Sequence, residues 1–121
     1  MRHLPFLQLL VIKTNQPERL AAFYTMLGIE FEYHRHGKGP FHYASKNGLP
    51  VLEIYPLPSD DVVPDNTTRL GFGVSNLDEL IVRLTEQYII VVTMPVKTEW
   101  GYRAVVQDPD GRKIELTETP N

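Results

Sequence analysis

The sequence predicts an α+β fold built from one βαβββ unit used twice. An Asn-x-x-Glu helix opening occurs at Asn15–Glu18 and recurs 61 residues later at Asn76–Glu79. Glu53 and Glu115, each in the last apolar segment of its half, lie 62 residues apart. Between the halves, Pro56 to Thr68 (PLPSDDVVPDNTT) carries three prolines and three acids with little periodicity, which reads as a linker. The expected organisation is a single domain over 1–121, with module one at 5–57, a linker at 58–67 and module two at 68–119.

Each element has a local reason. Leu7 to Lys13 (LQLLVIK) is apolar and β-rich, as a buried strand is. Asn15 then offers a cap, Pro17 suits a first helical turn, and Glu18 stands at the reciprocal capping-box position. Leu20, Phe23, Tyr24 and Leu27 follow at i, i+3, i+4 and i+7, one face of a helix that Gly28 stops. Phe31 to His34, Phe41 to Ser45 and Val51 to Tyr55 are short strands, separated by His-Gly-Lys-Gly-Pro and Lys-Asn-Gly turns. In the second half, Leu70 to Val74 is a strand and Asn76 opens a helix with the stripe Leu77, Leu80, Ile81, Leu84 and Tyr88. Ile89 to Thr93, Tyr102 to Gln107 and Lys113 to Thr117 are strands, the last two joined by the turn Asp108-Pro-Asp-Gly111.

Composition narrows the function classes. The chain is 42% hydrophobic with six Tyr, five Phe and one Trp, an ordinary globular balance rather than a disordered one. A net charge of −3 gives no electrostatic footprint for nucleic acid or an anionic membrane. Having no cysteine excludes disulfides, Fe–S clusters, thiolate zinc and Cys nucleophiles, so any metal needs His and carboxylate ligands. Every apolar run falls far below the roughly 20 residues that cross a bilayer. The start reads as neither signal peptide nor anchor, and a soluble cytoplasmic protein is expected.

Phe23-Tyr24-Thr-Met-Leu27-Gly28, Glu53 within Val-Leu-Glu-Ile-Tyr, and the run from Trp100 through Asp108-Pro-Asp-Gly111 to Ile-Glu115-Leu carry a family likeness. In this order, over nearly the whole chain, they resemble the vicinal oxygen chelate superfamily. That group includes glyoxalase I, bleomycin and fosfomycin resistance proteins and extradiol dioxygenases. The first motif is one residue shorter before Leu-Gly than in most relatives. The resemblance implies two βαβββ modules forming an incomplete, cavity-lined mixed β-barrel, often completed across a homodimer. In metal-using members a His or Gln on each half's first strand and a Glu on each half's last strand hold Ni, Zn, Mn or Fe(II), leaving positions open for vicinal substrate oxygens.

Carried over residue by residue, the last-strand positions are Glu53 and Glu115. Counting fourteen back from Phe23 gives Leu9, and five back from Val74 gives Arg69. Leucine cannot ligate and arginine is a permanent cation, so no metal is expected at these four positions. Gln8 is adjacent to Leu9, but strand alternation turns it to the other face unless a bulge intervenes. Arg69 is expected to take the metal's electrostatic place between the two carboxylates. The trio then either holds a polar ligand or is a buried ion pair that closes the barrel, and Arg69→Ala would cost about 3–5 kcal/mol.

Other candidates surround this trio. His34 and His36, two apart, suit a metal or a solvated, stacked hairpin, and His42 is the histidine expected to line the first module. His3 reads as a terminal surface residue. Trp100, Tyr102 and Arg103 precede the Asp-Pro-Asp-Gly hairpin, where relatives place groups at the cavity mouth, though Trp100 also suits ordinary packing. Gly71 and Gly73 share the strand face of Arg69 and leave room beside it. The Gly-Lys-Gly turn lacks the helix and the Lys-Ser/Thr pair of a phosphate cradle.

The expected function is binding of a small molecule in a metal-free cavity lined by Arg69, Glu53, Glu115, His42, Trp100, Tyr102 and Arg103. The alternative is a glyoxalase-like lyase or a dioxygenase with a rearranged metal site, in which Glu53 or Glu115 is the general base. A carboxylate paired with Arg69 makes a poor base near neutrality, which favours binding. A third reading is an interaction module with a vestigial cavity.

Overall fold

The computed structural model describes residues 3–120. By chain contacts it divides into two compact units, Met1–Pro64 and Asp65–Asn121. The first contains β1 (Leu9–Thr14), α1 (Pro17–Met26), β2 (Phe31–His34), β3 (His42–Ser45) and β4 (Val51–Pro56). The second contains β5 (Leu70–Val74), α2 (Leu77–Glu86), β6 (Val91–Thr98), β7 (Gly101–Gln107) and β8 (Lys113–Glu118). The sheet orders are β1-β4-β3-β2 and β5-β8-β7-β6, so the repeat in sequence is also a repeat in topology. In each sheet the first strand runs parallel to the last and the remaining pairs are antiparallel. Each sheet ends in two edge strands, so neither closes on itself through hydrogen bonds.

Both helices bury most of their predicted stripes, although Leu27 is the half-buried C-cap of α1. In α1, Leu20, Ala21, Phe23 and Tyr24 are buried and the helix packs on β4, β1 and β3, where Ile12, Leu52 and Ile54 are buried too. In α2, Leu77, Leu80, Ile81 and Leu84 are buried along with Val106, Ile114 and Leu116 of the sheet. Each such side chain contributes about 1.5–3 kcal/mol of transfer free energy, which outweighs the modest propensities of these ten-residue helices. Tyr88, expected on the second stripe, lies beyond the helix with φ 62° and its side chain exposed.

The helix starts differ from the local reading. Asn15 does not cap α1. Gln16 is the N-cap, and the Asn15 amide donates instead to the carbonyls of Ser59 and Val62, at 3.2 and 3.1 Å. Asn76 is at the N-cap of α2 but in a left-handed conformation (φ 50°), with no capping bond from its side chain. Its task passes to Glu118 at the end of β8, whose Oε2 accepts from the Leu77 N–H at 2.9 Å. In both places a partner distant in sequence outcompetes the local cap.

One strand also differs. β6 is eight residues long rather than ending at Thr93, and its pairing with β7 shifts between Val91 and Thr93 and between Thr93 and Val96. Pro95 has no N–H to donate, and an edge strand with a bulge is where a sheet tolerates it. Other boundaries move by one or two residues.

Register places the site residues. Val11 and Ala44 are the ladder partners of Glu53, and Gly71 and Val105 those of Glu115. Ladder partners share a sheet face. The two glutamates therefore occupy equivalent places, each on the face of its sheet turned away from its helix. Leu9 shares the face of Glu53, and the β1–β4 ladder runs unshifted from Leu9 to Thr14, so no bulge brings Gln8 into its place.

Candidate functional site

In the second unit, Glu115 is held between two guanidinium groups. Arg69 Nη2 lies 3.3 Å from Glu115 Oε2, and Arg103 Nη2 donates to Glu115 Oε1. Arg103 also donates from Nε to Thr117 Oγ1 at 3.1 Å, which fixes the plane of its fork. The side chains of Arg69 and Glu115 are 50% and 30% exposed, so solvent screens the pair. The cost expected for a buried pair falls accordingly, to about 1 kcal/mol or less for loss of Arg69. Beside the pair, a recess of about 130 Å³ is lined by Thr93, Val96, Thr98, Arg103, Val105 and Glu115.

The glycines next to Arg69 act differently from each other. A Cβ at Gly71 would meet only the Glu115 carbonyl at 4.0 Å, so this position is open space. A Cβ at Gly73 would come within 2.8 Å of Thr119 Cγ2, so its missing side chain accommodates Thr119 rather than a ligand. Tyr102 faces the opposite way from Arg103. Its hydroxyl donates to Asp78 Oδ1 of α2 at 2.6 Å, and that bond, reinforced by desolvation and by the charges of Asp78 and Glu118, raises its pKa. Trp100 is 71% exposed in the β6–β7 turn. The structure thus joins Arg69, Arg103 and Glu115 and leaves Trp100 and Tyr102 outside that group.

In the first unit, Glu53 meets histidines. His42 Nε2 lies 3.4 Å from Glu53 Oε2 and 3.1 Å from His34 Nε2. His42 is fully buried, and its Nδ1 faces the Pro40 carbonyl at 3.2 Å. Its ring stacks on Tyr55, with centroids 4.0 Å apart and planes 10° from parallel. Burial and then the Glu53 charge push the Tyr55 hydroxyl up. His36 completes the group: one ligand atom from each of His34, His36, His42 and Glu53 falls within 4.8 Å of the others. Spacing singled out His34 and His36, and the expected strand over Phe41 to Ser45 singled out His42, but their convergence on Glu53 depends on the pairing of β2 with β3 and of β3 with β4.

A larger hollow of about 450 Å³ lies on the helix side of the first unit, lined by Glu18, Thr25, Phe31, Tyr43 and Lys46 among others. Among the described residues, its charged groups Glu18, Glu30 and Lys46 form no ion pair with one another. The smaller recess, lined by Arg103 and Glu115 with Arg69 bonded to the far oxygen of that glutamate, is the better candidate.

One arrangement escaped the sequence reading. Arg112 is wholly buried, and its Nη1 donates to Asp108 Oδ2 at 3.1 Å and to Asp110 Oδ2 at 2.9 Å. Asp108 Oδ1 accepts from the N–H groups of Asp110 and Arg112. Burial pulls the guanidinium pKa down, but the two aspartates outweigh it and the net shift is upward. The Asp-Pro-Asp-Gly segment thus forms an ion-paired corner that feeds β8, and Glu115 with it. An Asp-x-Asp-x-Arg spacing around a turn was the available signal.

With this geometry in view, comparison with known proteins is informative. The family model described as Glyoxalase/Bleomycin resistance protein/Dioxygenase superfamily matches residues 7–116. The chain belongs to this superfamily. No curated protein matches it significantly by sequence. Among solved structures, the chain is similar to TnmS3, an antibiotic binding protein from Streptomyces sp. CB03234 (20% identity, TM-score 0.72, covering 99% of this chain and 100% of that one). It is similar to a V. cholerae integron cassette protein (20%, TM-score 0.74, 99% of both chains). A lactoylglutathione lyase from Agrobacterium tumefaciens is a third (17%, TM-score 0.68, 97% and 96%). At these identities the likeness establishes the shared fold. Among the described residues, no helix is long and apolar enough to cross a membrane.

Proposed function

We propose that the protein binds a small molecule in the recess of its second unit, with Arg103 in the recess wall and Arg69 beside it as recognition groups, and releases it unchanged. The observation that carries this reading is the double engagement of Glu115. Arg69 takes one carboxylate oxygen and Arg103 the other, leaving the group an anchor for two guanidinium forks rather than a proton acceptor. Two cations around one anion leave a net positive charge, suited to a ligand bearing a carboxylate or another strong oxygen acceptor. A recess of about 130 Å³ is smaller than the ~300–1,000 Å³ of a drug-sized pocket, so it accepts one ring or acid group of a larger molecule.

At the four positions that metal-using relatives employ, this chain presents Leu9, Glu53, Arg69 and Glu115, and an aliphatic side chain with a fixed cation disfavours a divalent ion there. The antibiotic-binding neighbour TnmS3 supports a binding role on this fold. The reading includes a cytoplasmic homodimer, supported by the exposed apolar side chains of Val92, Met94 and Val96 along β6.

The experiment is calorimetry and thermal-shift screening of small aromatic carboxylates and oxygen-rich aromatics, with chromatography of the recovered ligand. A saturable stabiliser, recovered intact and bound at least tenfold more weakly by both Arg69→Ala and Arg103→Ala, is expected. Product formation, or binding that ignores both substitutions, would refute the reading.

A further inference from the structure

We propose that the first unit holds a divalent first-row transition ion, of the zinc or nickel class, on His34, His36, His42 and Glu53. This site lies on β2, β3, β4 and the turn after β2. It is distinct from the four positions of the family ligand set, with which it shares only Glu53.

The argument begins at His42. The Pro40 carbonyl can only accept, so the 3.2 Å contact places a proton on His42 Nδ1. His42 Nε2, the ring's other nitrogen, then faces Glu53 Oε2 at 3.4 Å and His34 Nε2 at 3.1 Å. A ring nitrogen and a carboxylate at this distance need a positive charge between them, either a proton or a metal ion. A ring N–H donated to a backbone carbonyl, with the other nitrogen turned toward further ligand groups, is the arrangement that orients metal-bound histidine.

Distances agree with that cation being a metal. With ligand bonds of about 2.0–2.2 Å, neighbouring ligand atoms stand roughly 3.0 Å apart in an octahedron and 3.4 Å in a tetrahedron. The 3.1 and 3.4 Å separations around His42 fall in this interval, while the whole group of four spans up to 4.8 Å and closes in by a side-chain rotation to complete the shell. His34 has its own orienting partner, since Glu32 Oε1 lies 3.5 Å from its Nδ1. The buried His42 ring is further fixed by stacking on Tyr55. Three imidazoles and one carboxylate, without sulfur, select zinc, nickel, copper or iron over magnesium or calcium.

The test uses tag-free, chelator-treated protein loaded with Zn²⁺ or Ni²⁺, desalted, and assayed by elemental analysis and calorimetry. One ion per chain is expected. His34→Gln and His36→Gln, at partly or fully exposed positions where folding is not at stake, should each weaken binding at least tenfold. Glu32→Gln should weaken it by about tenfold through His34. Arg69→Ala should bind the ion unchanged, which separates this site from the proposed ligand recess. No retained ion, or an ion retained equally by a His34→Gln/His36→Gln double variant, would overturn the proposal.

Discussion

His34 and His42 meet through their Nε2 atoms, 3.1 Å apart, across the β2–β3 ladder in which they are direct partners. His42 Nδ1 lies 3.2 Å from the Pro40 carbonyl, so the ring meets His34 through its other nitrogen. An ion bound here stabilises the folded state alone. Zn²⁺ at a hundredfold excess over its Kd should therefore raise stability by about 2.7 kcal/mol. Thermal melts of the wild type and of His42→Gln, with and without the ion, check this. A metal-dependent rise that survives in His42→Gln would contradict it.

Arg69 and Arg103 share Glu115 but differ in their supports. Arg103 is 28% exposed and has a second bond to Thr117, whereas Arg69 is half exposed beside the empty space at Gly71. Arg69→Ala should cost about 1 kcal/mol or less of stability, and Arg103→Ala more than Arg69→Ala. Urea denaturation of the two variants is the measurement, and the reverse order would count against the geometry described.

Arg112 is the charge whose loss should matter most. Removing it leaves Asp108 and Asp110 facing one another without their shared cation, and breaking a buried pair in this way costs about 3–5 kcal/mol. For a chain of this size the melting temperature of Arg112→Ala should fall by on the order of 10–20 °C. A change of only a few degrees would show that the corner is dispensable.

Glu118 connects the last strand to the first turn of α2. Glu118→Ala should destabilise the protein by about 1 kcal/mol, through the lost acceptor for Leu77 N–H and the lost negative charge at a helix N-terminus. Glu118→Gln keeps an acceptor and should cost less. Equal losses would mean that the charge alone is responsible.

Asp65 introduces a pH dependence. The hydroxyls and N–H groups of Thr67 and Thr68 donate to its carboxylate and hold its pKa far below the usual range. Because the folded pKa is lowered, this stabilisation is complete above the unfolded value near 4 and is lost as pH falls below it. The difference in melting temperature between the wild type and Asp65→Asn should shrink from pH 5 toward pH 3. A difference that stays constant over that range would exclude the charge as its source.

Much of this architecture was legible in the residues themselves. Strand alternation placed Gly71 and Gly73 on the face of Arg69, and the family resemblance put Arg69 near Glu115, a contact that rests on the pairing of β5 with β8. The same alternation could not bring Arg103 to Glu115, since that contact depends on the register between β7 and β8. His36 lies beyond the end of β2, where period-two reasoning has no hold. Asn15 carried the signal of a helix cap, yet its amide bonds the linker, and nothing within a few residues of it reveals that choice. Arg112 had no place in the sequence reading, because its burial depends on the two aspartates of its own turn folding back onto it.

The irregular edge of the second sheet bears on how copies of this chain can meet. β6 displays Val92, Met94 and Val96 to solvent, the kind of strand on which sheets grow into fibrils. Pro95 removes a donor from the middle of that edge, and the two register shifts break the spacing that an incoming backbone would have to match. Polymerisation by strand addition is thereby obstructed while the apolar side chains stay available. Self-association along this edge is left to side-chain packing, which can stop at two copies where a continuing hydrogen-bond ladder would not.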